Sequence, residues 1–182
     1  MELFIISLVS YLIGSIPFGF LLTKIFLNKD IRNIGSGNIG ATNALRTGNK
    51  KIGFSTLILD VLKAAITIIF VKFNYSEFIF ISSLCVFLGH VFPIWLKFKG
   101  GKGVATYVGI LFSINLTYGL IFITIWLIVF FIFKYSSLSS IIASLSIPLY
   151  LFIFLNSLNL FFFLIMLILI FFTHRENTKR LI

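Results

Sequence analysis

Charged residues are scarce in this sequence, and acidic residues are the scarcest. Only 11% of the 182 residues are charged and five are Asp or Glu, whereas a typical soluble domain has about 25% charged residues. Hydrophobic residues make up 59% of the chain, and 24 residues are phenylalanine. The mean hydropathy is +1.12. This composition excludes an ordinary soluble domain and indicates an integral membrane protein.

The sequence also has little cysteine and carboxylate chemistry. Cys85 is the only cysteine, which excludes an intramolecular disulfide and a thiolate metal cluster. The acidic residues lie far apart along the chain, at Glu2, Asp30, Asp60, Glu77 and Glu176. So few carboxylates argue against a metal-dependent phosphotransferase, and we predict neither a metal site nor a cofactor.

Two common catalytic motifs are missing. The sequence has no G-x-S-x-G nucleophile elbow of the kind that α/β-hydrolases use. It has no H-x-x-x-x-D pair either, because Trp95 follows His90 at that spacing and Lys179 follows His174. The second absence argues against the widespread glycerolipid acyltransferases that depend on acyl-CoA or acyl carrier protein.

Six apolar stretches alternate with short polar segments, at about residues 3–27, 53–73, 78–96, 104–133, 137–155 and 158–173. The first stretch lacks the basic start and the cleavage site of a signal peptide, so we expect a retained span. As one helix, the fourth stretch would be about 45 Å long, well beyond a ~30 Å hydrocarbon core. We therefore expect two helices there, turning near residues 113–117. The prediction is an all-α polytopic membrane protein, a single domain over residues 1–182 with about seven transmembrane helices.

Loop charge predicts the orientation of these spans. The loop at residues 28–52 carries one acidic residue, Asp30, against five basic ones: Lys29, Arg32, Arg46, Lys50 and Lys51. By the positive-inside rule this loop is cytoplasmic, which leaves the N-terminus outside. With seven spans the C-terminus is cytoplasmic as well. The polar segments at 33–51, 97–106 and 174–180 then lie on one membrane face, where we expect them to form a single site.

The first glycine segment, residues 33–46, has the features of an anion site. Its Gly35-Ser36-Gly37-Asn38-Ile39-Gly40 run fits G-x-G-x-x-G, but a membrane span precedes it where a dinucleotide site needs a strand. Closely spaced glycines can still form a nest of backbone amides around an anion. Ser36, Asn38, Asn43 and Arg46 add side-chain donors nearby. The alternative is a flexible cytoplasmic turn.

The second glycine segment, residues 97–106, contains Lys99-Gly100-Gly101-Lys102-Gly103. It lacks the spacing of a Walker A loop, so no nucleotide is implied. The glycines permit close approach to a phosphate, and Lys102 supplies a positive charge. A helix beginning near Val104 would direct its first N–H groups at the anion. The alternative is a lysine-rich anchor at the end of a span.

Ionisable residues in or next to apolar stretches are further candidates. Asp60 and Lys63 are spaced i,i+3 on one helix face, and charges at membrane depth usually face a polar interior. They are either a pair that fixes helix packing or a wall of the site. His90, one turn before the second glycine segment, is either a packing residue or a site residue. His174 opens a basic tail with Arg175 and is part of either a solvated end or the site.

The net charge of +10 does not indicate nucleic acid binding, because the basic residues lie in short loops between spans. The expected partners are the lipid bilayer and phosphorylated small molecules. A transporter or channel for a phosphorylated solute is the alternative function. We find no internal repeat of the kind that many transporters show.

Taken together, the motifs resemble the bacterial acyl-phosphate:glycerol-3-phosphate acyltransferases of phospholipid synthesis. The likeness covers nearly the whole chain and rests on three motifs in order, at residues 35–46, 89–106 and 174–180. The segment at residues 13–17 and the Asp60-x-x-Lys63 pair also fit. In the family the third motif continues to a short G-x-E ending, whereas this sequence ends Arg180-Leu181-Ile182.

The resemblance implies a seven-span enzyme of the bacterial inner membrane, with its N-terminus outside and its active site facing the cytoplasm. The implied reaction transfers a fatty acyl group from acyl-phosphate to the 1-hydroxyl of glycerol 3-phosphate. Its products are lysophosphatidic acid and inorganic phosphate. The resemblance carries no expectation about the oligomeric state.

The motifs and the resemblance together give the predicted site residues. The predicted catalytic residues are Ser36, Arg46, Lys102, His174 and Asn177. The predicted substrate-binding residues are Gly37, Asn38, Asn43, Asp60, Lys63, His90, Lys99, Gly100, Gly101, Gly103, Thr106 and Arg175. The proton acceptor for the attacking hydroxyl is left open between His90, His174 and the phosphate of the acyl donor.

Overall fold

The structure, a computed structural model, describes residues 1–155 and 159–179, and its regular elements in that part of the chain are helices. The α-helices are α1 Glu2–Gly14, α2 Phe18–Leu27, α3 Ala41–Leu45, α4 Lys50–Asn74, α5 Ile79–Val91, α6 Val104–Ile114, α7 Leu116–Phe133, α8 Ser136–Tyr150, α9 Leu160–Thr173 and α10 Arg175–Thr178. The predicted all-α fold is confirmed. Arg180, which belongs to the third motif, lies outside the described residues.

Within the described residues, five helical segments are long and apolar enough to cross a membrane: Glu2–Leu27, Lys50–Asn74, Ser76–Leu96, Leu116–Phe133 and Ser136–Phe154. α6 and α9 are apolar but shorter. At the usual helical rise they are about 16 Å and about 21 Å long, less than a ~30 Å hydrocarbon core. The number of crossings therefore stays a prediction.

The first span is broken in its middle. α1 ends at Gly14 and α2 begins at Phe18. Pro17 has no backbone N–H and cannot continue the helical hydrogen-bond ladder. The break leaves the carbonyl of Ile16 to accept a hydrogen bond from Lys63 Nζ at 2.9 Å. A polar side chain on α4 thus compensates for a backbone break at membrane depth.

The long fourth apolar stretch divides as predicted. α6 ends at Ile114 and α7 begins at Leu116, inside the window of residues 113–117. Asn115 is the N-cap of α7, and its side-chain oxygen accepts a hydrogen bond from the N–H of Thr117 at 2.8 Å. The capping amide starts a new helix where hydropathy alone shows one continuous stretch.

The chain divides into two compact units, Met1–Ser113 and the part from Ile114 onward. In the first unit, α1 and α5 pack through glycines. A Cβ on Gly14 would overlap the backbone of Val86, and one on Gly89 would overlap the carbonyl oxygen of Tyr11. Such close backbone approach is typical of small residues between membrane helices. The expectation of one domain stays a prediction.

The second unit is held by packing of α8 against α7 and α9. Trp126 on α7 donates a hydrogen bond to Ser140 Oγ on α8 at 3.1 Å. The rings of Tyr118 and Phe163 meet edge to face with centroids 5.5 Å apart. Pro148 lies near the end of α8, just before a turn of π-helix at Leu151–Leu155. Neighbouring helices therefore contact through aromatic rings and scattered polar bonds, as expected where lipid replaces water.

Candidate active site

The two glycine segments lie together in the first unit because they share a buried apolar cluster. Its members are Ile31, Ile39, Ala44, Ile52 and Leu96. Leu96 belongs to the short 3-10 turn just before the second glycine segment, and the other four lie in or beside the first. Apolar burial thus holds the polar segments side by side.

Asn43 organises the first glycine segment. Its side chain is 2% exposed. Its Oδ1 accepts a hydrogen bond from the N–H of Ser36 at 3.0 Å. Its Nδ2 donates to the carbonyls of Ile34 at 2.9 Å and Asn38 at 2.7 Å. The side chain of Asn43 thus holds the loop together, and its predicted contact with substrate stays a prediction.

Two glycines give the first segment its turns, since Gly35 and Gly37 have φ of +54° and +71°. L residues other than glycine rarely adopt these values. A Cβ on Gly35 would overlap the side chains of Asn43 and Arg46, so Arg46 lies directly over this turn. Ser36 and Arg46 are both exposed. The structure thus leaves Ser36, next to Gly35 in sequence, and Arg46, which lies over Gly35, exposed to a ligand.

Arg32, in contrast, is already paired. Its Nη2 lies 2.6 Å from Asp30 Oδ2, and its backbone N–H donates to Asp30 Oδ1 at 2.9 Å. The side-chain hydrogen bonds from Arg32 lower the pKa of Asp30 to about 2. Its guanidinium also lies 5.0 Å from the ring centroid of Phe20. This arginine stabilises the turn before the first glycine segment and leaves Arg46 as the cation of that segment.

The glycines of the second segment pack against α5. The N–H groups of Gly100 and Gly101 donate to the carbonyls of Val91 and His90, each at 3.0 Å. A Cβ on Gly101 would overlap the Nε2 edge of His90. Gly103 has φ of +83°, and a Cβ there would overlap the ring of Phe87. The N–H groups of Gly100 and Gly101 therefore bond within the protein. Close packing is sufficient to explain glycine at Gly101 and Gly103, without any contact to a ligand.

Donors suited to an anion remain at the start of α6. The helix begins at Val104, as predicted, and its first N–H groups have no acceptor within the helix. Lys99 is exposed and Lys102 half-buried just before it. The Oγ1 of Thr106 is buried and has no hydrogen-bond partner within the described part of the chain. A positive helix end, a lysine and a buried hydroxyl therefore adjoin one another in sequence.

Behind the second segment lies a buried ionic cluster formed by Asp60, Lys63 and His90. Lys63 Nζ lies 2.8 Å from Asp60 Oδ1, so the two residues form an i,i+3 ion pair, as in one of the two alternatives given for them. It also lies 3.0 Å from His90 Nδ1, and His90 Nδ1 lies 3.6 Å from Asp60 Oδ1. All three residues are 5% exposed or less. The sequence did not predict the contact of His90, because no local spacing links it to α4.

The contacts of Lys63 assign the tautomer of His90. Its ammonium group faces three acceptors, namely the Ile16 carbonyl, Asp60 Oδ1 and His90 Nδ1. An ammonium has three protons to donate and cannot accept, so the neighbouring Nδ1 is the acceptor. Neutral His90 then carries its proton on Nε2, the nitrogen that faces Gly101. The lysine thus contacts three groups of the protein, and its direct contact with substrate stays a prediction.

In the second unit, His174 joins α9 to α10. It is 2% exposed, and its Nδ1 lies 2.8 Å from the carbonyl oxygen of Ile170, so Nδ1 is the donor. Asn177 donates its backbone N–H to the carbonyl of His174 at 2.8 Å. The guanidinium of Arg175 lies 4.3 Å from the ring centroid of Phe172 and donates to its carbonyl at 3.0 Å. The predicted ligand role of Arg175 would require this arginine to leave its own helix end.

Known proteins match the chain over nearly its full length. The family model described as glycerol-3-phosphate acyltransferase matches residues 4–182. The glycerol-3-phosphate acyltransferase of Pelagibacter ubique (strain HTCC1062) is 68% identical over 181 residues, which cover 100% of this chain and 94% of that protein. The enzyme of the same name from Rhodopseudomonas palustris (strain HaA2) is 48% identical over 175 residues, covering 96% of this chain and 89% of that protein.

Two solved structures share the fold. One is the glycerol 3-phosphate form of PlsY (YgiH), an integral membrane glycerol 3-phosphate acyltransferase, with a TM-score of 0.92 and 37% identity over 100% of this chain and 92% of that one. The other is its lysophosphatidic acid form, with a TM-score of 0.89, 36% identity and the same coverage. The sequence and the fold therefore agree: the chain belongs to the glycerol-3-phosphate acyltransferase family and is an integral membrane acyltransferase.

Proposed function

We propose that the enzyme transfers a fatty acyl group from acyl-phosphate to the 1-hydroxyl of glycerol 3-phosphate, giving lysophosphatidic acid and inorganic phosphate. The observation that carries this proposal is the pairing of two cationic glycine segments on one apolar cluster. Each segment has the chemistry of a phosphate site, and this reaction joins two phosphorylated substrates. Family membership favours acyl transfer over transport of a phosphorylated solute.

Each segment receives one phosphate in this proposal. The first segment, with exposed Ser36 and Arg46, binds the phosphate of the acyl donor. The second binds the phosphate of glycerol 3-phosphate at the start of α6, where Lys102 and Thr106 lie. Asn43 contributes indirectly by holding the first segment in shape. Fixing both substrates in this way can supply on the order of 7–11 kcal/mol of the barrier reduction.

The acyl transfer then needs no covalent enzyme intermediate. The 1-hydroxyl oxygen attacks the acyl carbonyl carbon, forming the ester bond as the bond from that carbon to the phosphate oxygen breaks. Ser36 or Lys102 stabilises the oxyanion that develops on the carbonyl oxygen. One such donor typically contributes about 3–4 kcal/mol. Phosphate is already a good leaving group, so acid assistance to its departure is not required.

The proton of the attacking hydroxyl passes to the departing phosphate. The contacts of His90 argue against it as the base, because its Nδ1 accepts from Lys63 and its Nε2 carries a proton against Gly101. His174 donates its Nδ1 proton to the carbonyl of Ile170, so its Nε2 has a lone pair and His174 is the alternative base. The donor phosphate is charged, adjacent to the reacting carbon and needs no further residue.

An apolar groove beside the glycine segments suits the acyl chain. It is lined by Ile16, Pro17, Phe20, Leu21, Trp95 and Leu96. Leu96 also belongs to the apolar cluster that the glycine segments share, so the groove adjoins both. Leu21 and Trp95 are exposed at its surface. A fatty chain placed here lies in the bilayer plane with its phosphate end towards the first glycine segment.

The donor assignment predicts product formation from purified protein. With palmitoyl-phosphate and glycerol 3-phosphate we expect lysophosphatidic acid and inorganic phosphate in equal amounts, and no product from palmitoyl-CoA. The Ser36→Ala variant should lose about 100-fold in kcat or more. Thin-layer separation of labelled lipid and a phosphate assay measure both products. Turnover with palmitoyl-CoA but none with palmitoyl-phosphate would contradict the proposed donor.

The proton assignment predicts that a histidine base is not essential. His174→Asn keeps an amide donor near the Ile170 carbonyl and removes the Nε2 lone pair. We expect kcat within about tenfold of the parent, whereas loss of a true general base costs about 100-fold to 10,000-fold. Single-turnover rates at saturating substrate, with circular dichroism as a check on folding, give the measurement. A loss of the larger size in a folded variant would assign the base to His174.

The groove assignment predicts a change in acyl-chain preference. Leu21→Trp fills the groove, so kcat/KM for palmitoyl-phosphate should fall about tenfold or more, and less for a shorter donor such as octanoyl-phosphate. Leu149→Trp, in an apolar groove of the second unit, is the matched control and should change neither. An equal loss for both donors, or an effect of the control variant alone, would place the acyl chain elsewhere.

Loop charge predicts that the site faces the cytoplasm. In a Cys85→Ala background, single cysteines at Asn38, Lys99 and Asn177 should react with a membrane-impermeant maleimide in inside-out vesicles and stay unreactive in intact cells; Lys99 represents the second glycine segment because its side chain is exposed. A cysteine introduced at Glu2 should show the reverse pattern. Labelling of the three positions from opposite sides of the membrane would contradict the seven-span topology and the expected cytoplasmic side of all three motifs.

A further inference from the structure

The buried ionic cluster of Asp60, Lys63 and His90 connects four parts of the first unit. Lys63 and Asp60 lie on α4, and His90 lies at the end of α5. Lys63 also reaches the broken first span through the carbonyl of Ile16. His90 contacts the second glycine segment through both its backbone and its ring. No ligand contact is needed to explain these bonds.

We propose that this cluster positions the second glycine segment and so sets the affinity for glycerol 3-phosphate. Asp60, Lys63 and His90 are then positioning residues, since they act through Gly100 and Gly101 and do not touch the substrate. The inference rests on the proposed binding of glycerol 3-phosphate at that segment. It replaces the direct substrate contacts that the sequence predicted for these three residues.

The position of the segment depends on the orientation of the imidazole. The Nε2 edge of His90 lies where a Cβ of Gly101 would be, so the ring and the loop are in contact with no spare space. The ring is fixed from the other side, because its Nδ1 accepts from Lys63 at 3.0 Å. If that bond is lost, the ring is free to rotate, and rotation pushes Gly101 or leaves a gap under it. The amide bonds to the His90 and Val91 carbonyls then weaken.

Stability alone is a poor explanation for an ionic group at this depth. Charges inside a membrane are costly, and a buried ion pair is often replaced by apolar side chains with no loss of stability. An apolar residue at position 63, however, has no proton to donate. It cannot hold the Ile16 carbonyl and the Nδ1 of His90 at once. The lysine therefore fixes the orientation of the His90 ring, which an apolar side chain of similar size cannot do.

A pair of variants separates positioning from stability. Lys63→Met removes the donor but leaves the Asp60 carboxylate buried without its partner, so it should lower the melting temperature. Asp60→Asn with Lys63→Met removes both charges and should recover much of that loss. In both variants we expect KM for glycerol 3-phosphate to rise about tenfold to 100-fold, with KM for palmitoyl-phosphate changed less than about threefold.

Ser82→Ala is the matched control. It removes a buried hydrogen bond of 2.7 Å to Ser10 between α1 and α5, the helices that lead to Ile16 and His90. It should lower the melting temperature and leave both KM values unchanged. If KM for glycerol 3-phosphate recovers together with the melting temperature in the double variant, the cluster only stabilises the fold. An equal rise in KM for both substrates would overturn the inference as well.

Hydrogen exchange tests the positioning without any turnover. The amides of Gly100 and Gly101 should be protected in the parent and exchange about tenfold faster in both Lys63 variants, with no change in Ser82→Ala. Mass spectrometry of peptides covering residues 97–106 in detergent reports this rate. Unchanged exchange would overturn the inference. An inactive parent that shows the predicted exchange pattern would instead contradict the proposed reaction and leave the positioning role standing.

Discussion

A polar group within a bilayer must find its partner inside the protein, and this constraint explains most of the first unit. The break at Pro17 takes the Ile16 carbonyl out of the regular helical ladder, where it accepts from the N–H of Phe18 at 3.2 Å and from Lys63 Nζ at 2.9 Å. The same ammonium group also contacts Asp60 and His90. One lysine therefore bonds to the broken first span, forms an ion pair and holds the imidazole ring. In the irregular second glycine segment, the N–H groups of Gly100 and Gly101 donate hydrogen bonds to the carbonyls at the end of α5. Irregular backbone is tolerated here because these groups bond within the protein.

Glycine serves two different purposes in this chain. At Gly35 and Gly37 it permits a backbone conformation with positive φ and keeps a loop open beside Ser36 and Arg46. At Gly89 and Gly101 it lets backbone approach a neighbour so closely that a single methyl group would overlap it. The first use leaves donors accessible to a ligand, and the second fixes their surroundings. A dense cluster of glycines in a membrane protein therefore indicates packing as much as anion binding.

Local patterns predicted what local chemistry determines. Hydropathy predicts the helices, and the i,i+3 spacing places Asp60 and Lys63 on one helix face, where they form an ion pair. The length of the fourth apolar stretch predicts the break after which Asn115 caps α7. Contacts between distant residues could not be read this way. Nothing in the spacing shows that His90 meets Lys63 on α4, or that the Asn43 side chain spans its own loop. The sequence analysis assigns both residues to substrate binding. Sequence alone cannot distinguish a polar residue that touches the ligand from one that holds the ligand-binding loop in place.

These bonds divide the polar residues of the first unit into a fixed set and an available set. Asn43, Lys63 and His90 are buried, and their side chains bond to other groups of the protein. Ser36, Arg46 and Lys99 are exposed beside them. Catalysis by positioning needs this division, because donors aimed at a developing charge help only if they do not reorganise during the reaction. A site whose chemistry is the joining of two anions requires fixed cations and an apolar groove more than it requires a strong base. The scarcity of carboxylates in the sequence agrees with that requirement, since each added acid would repel both substrates.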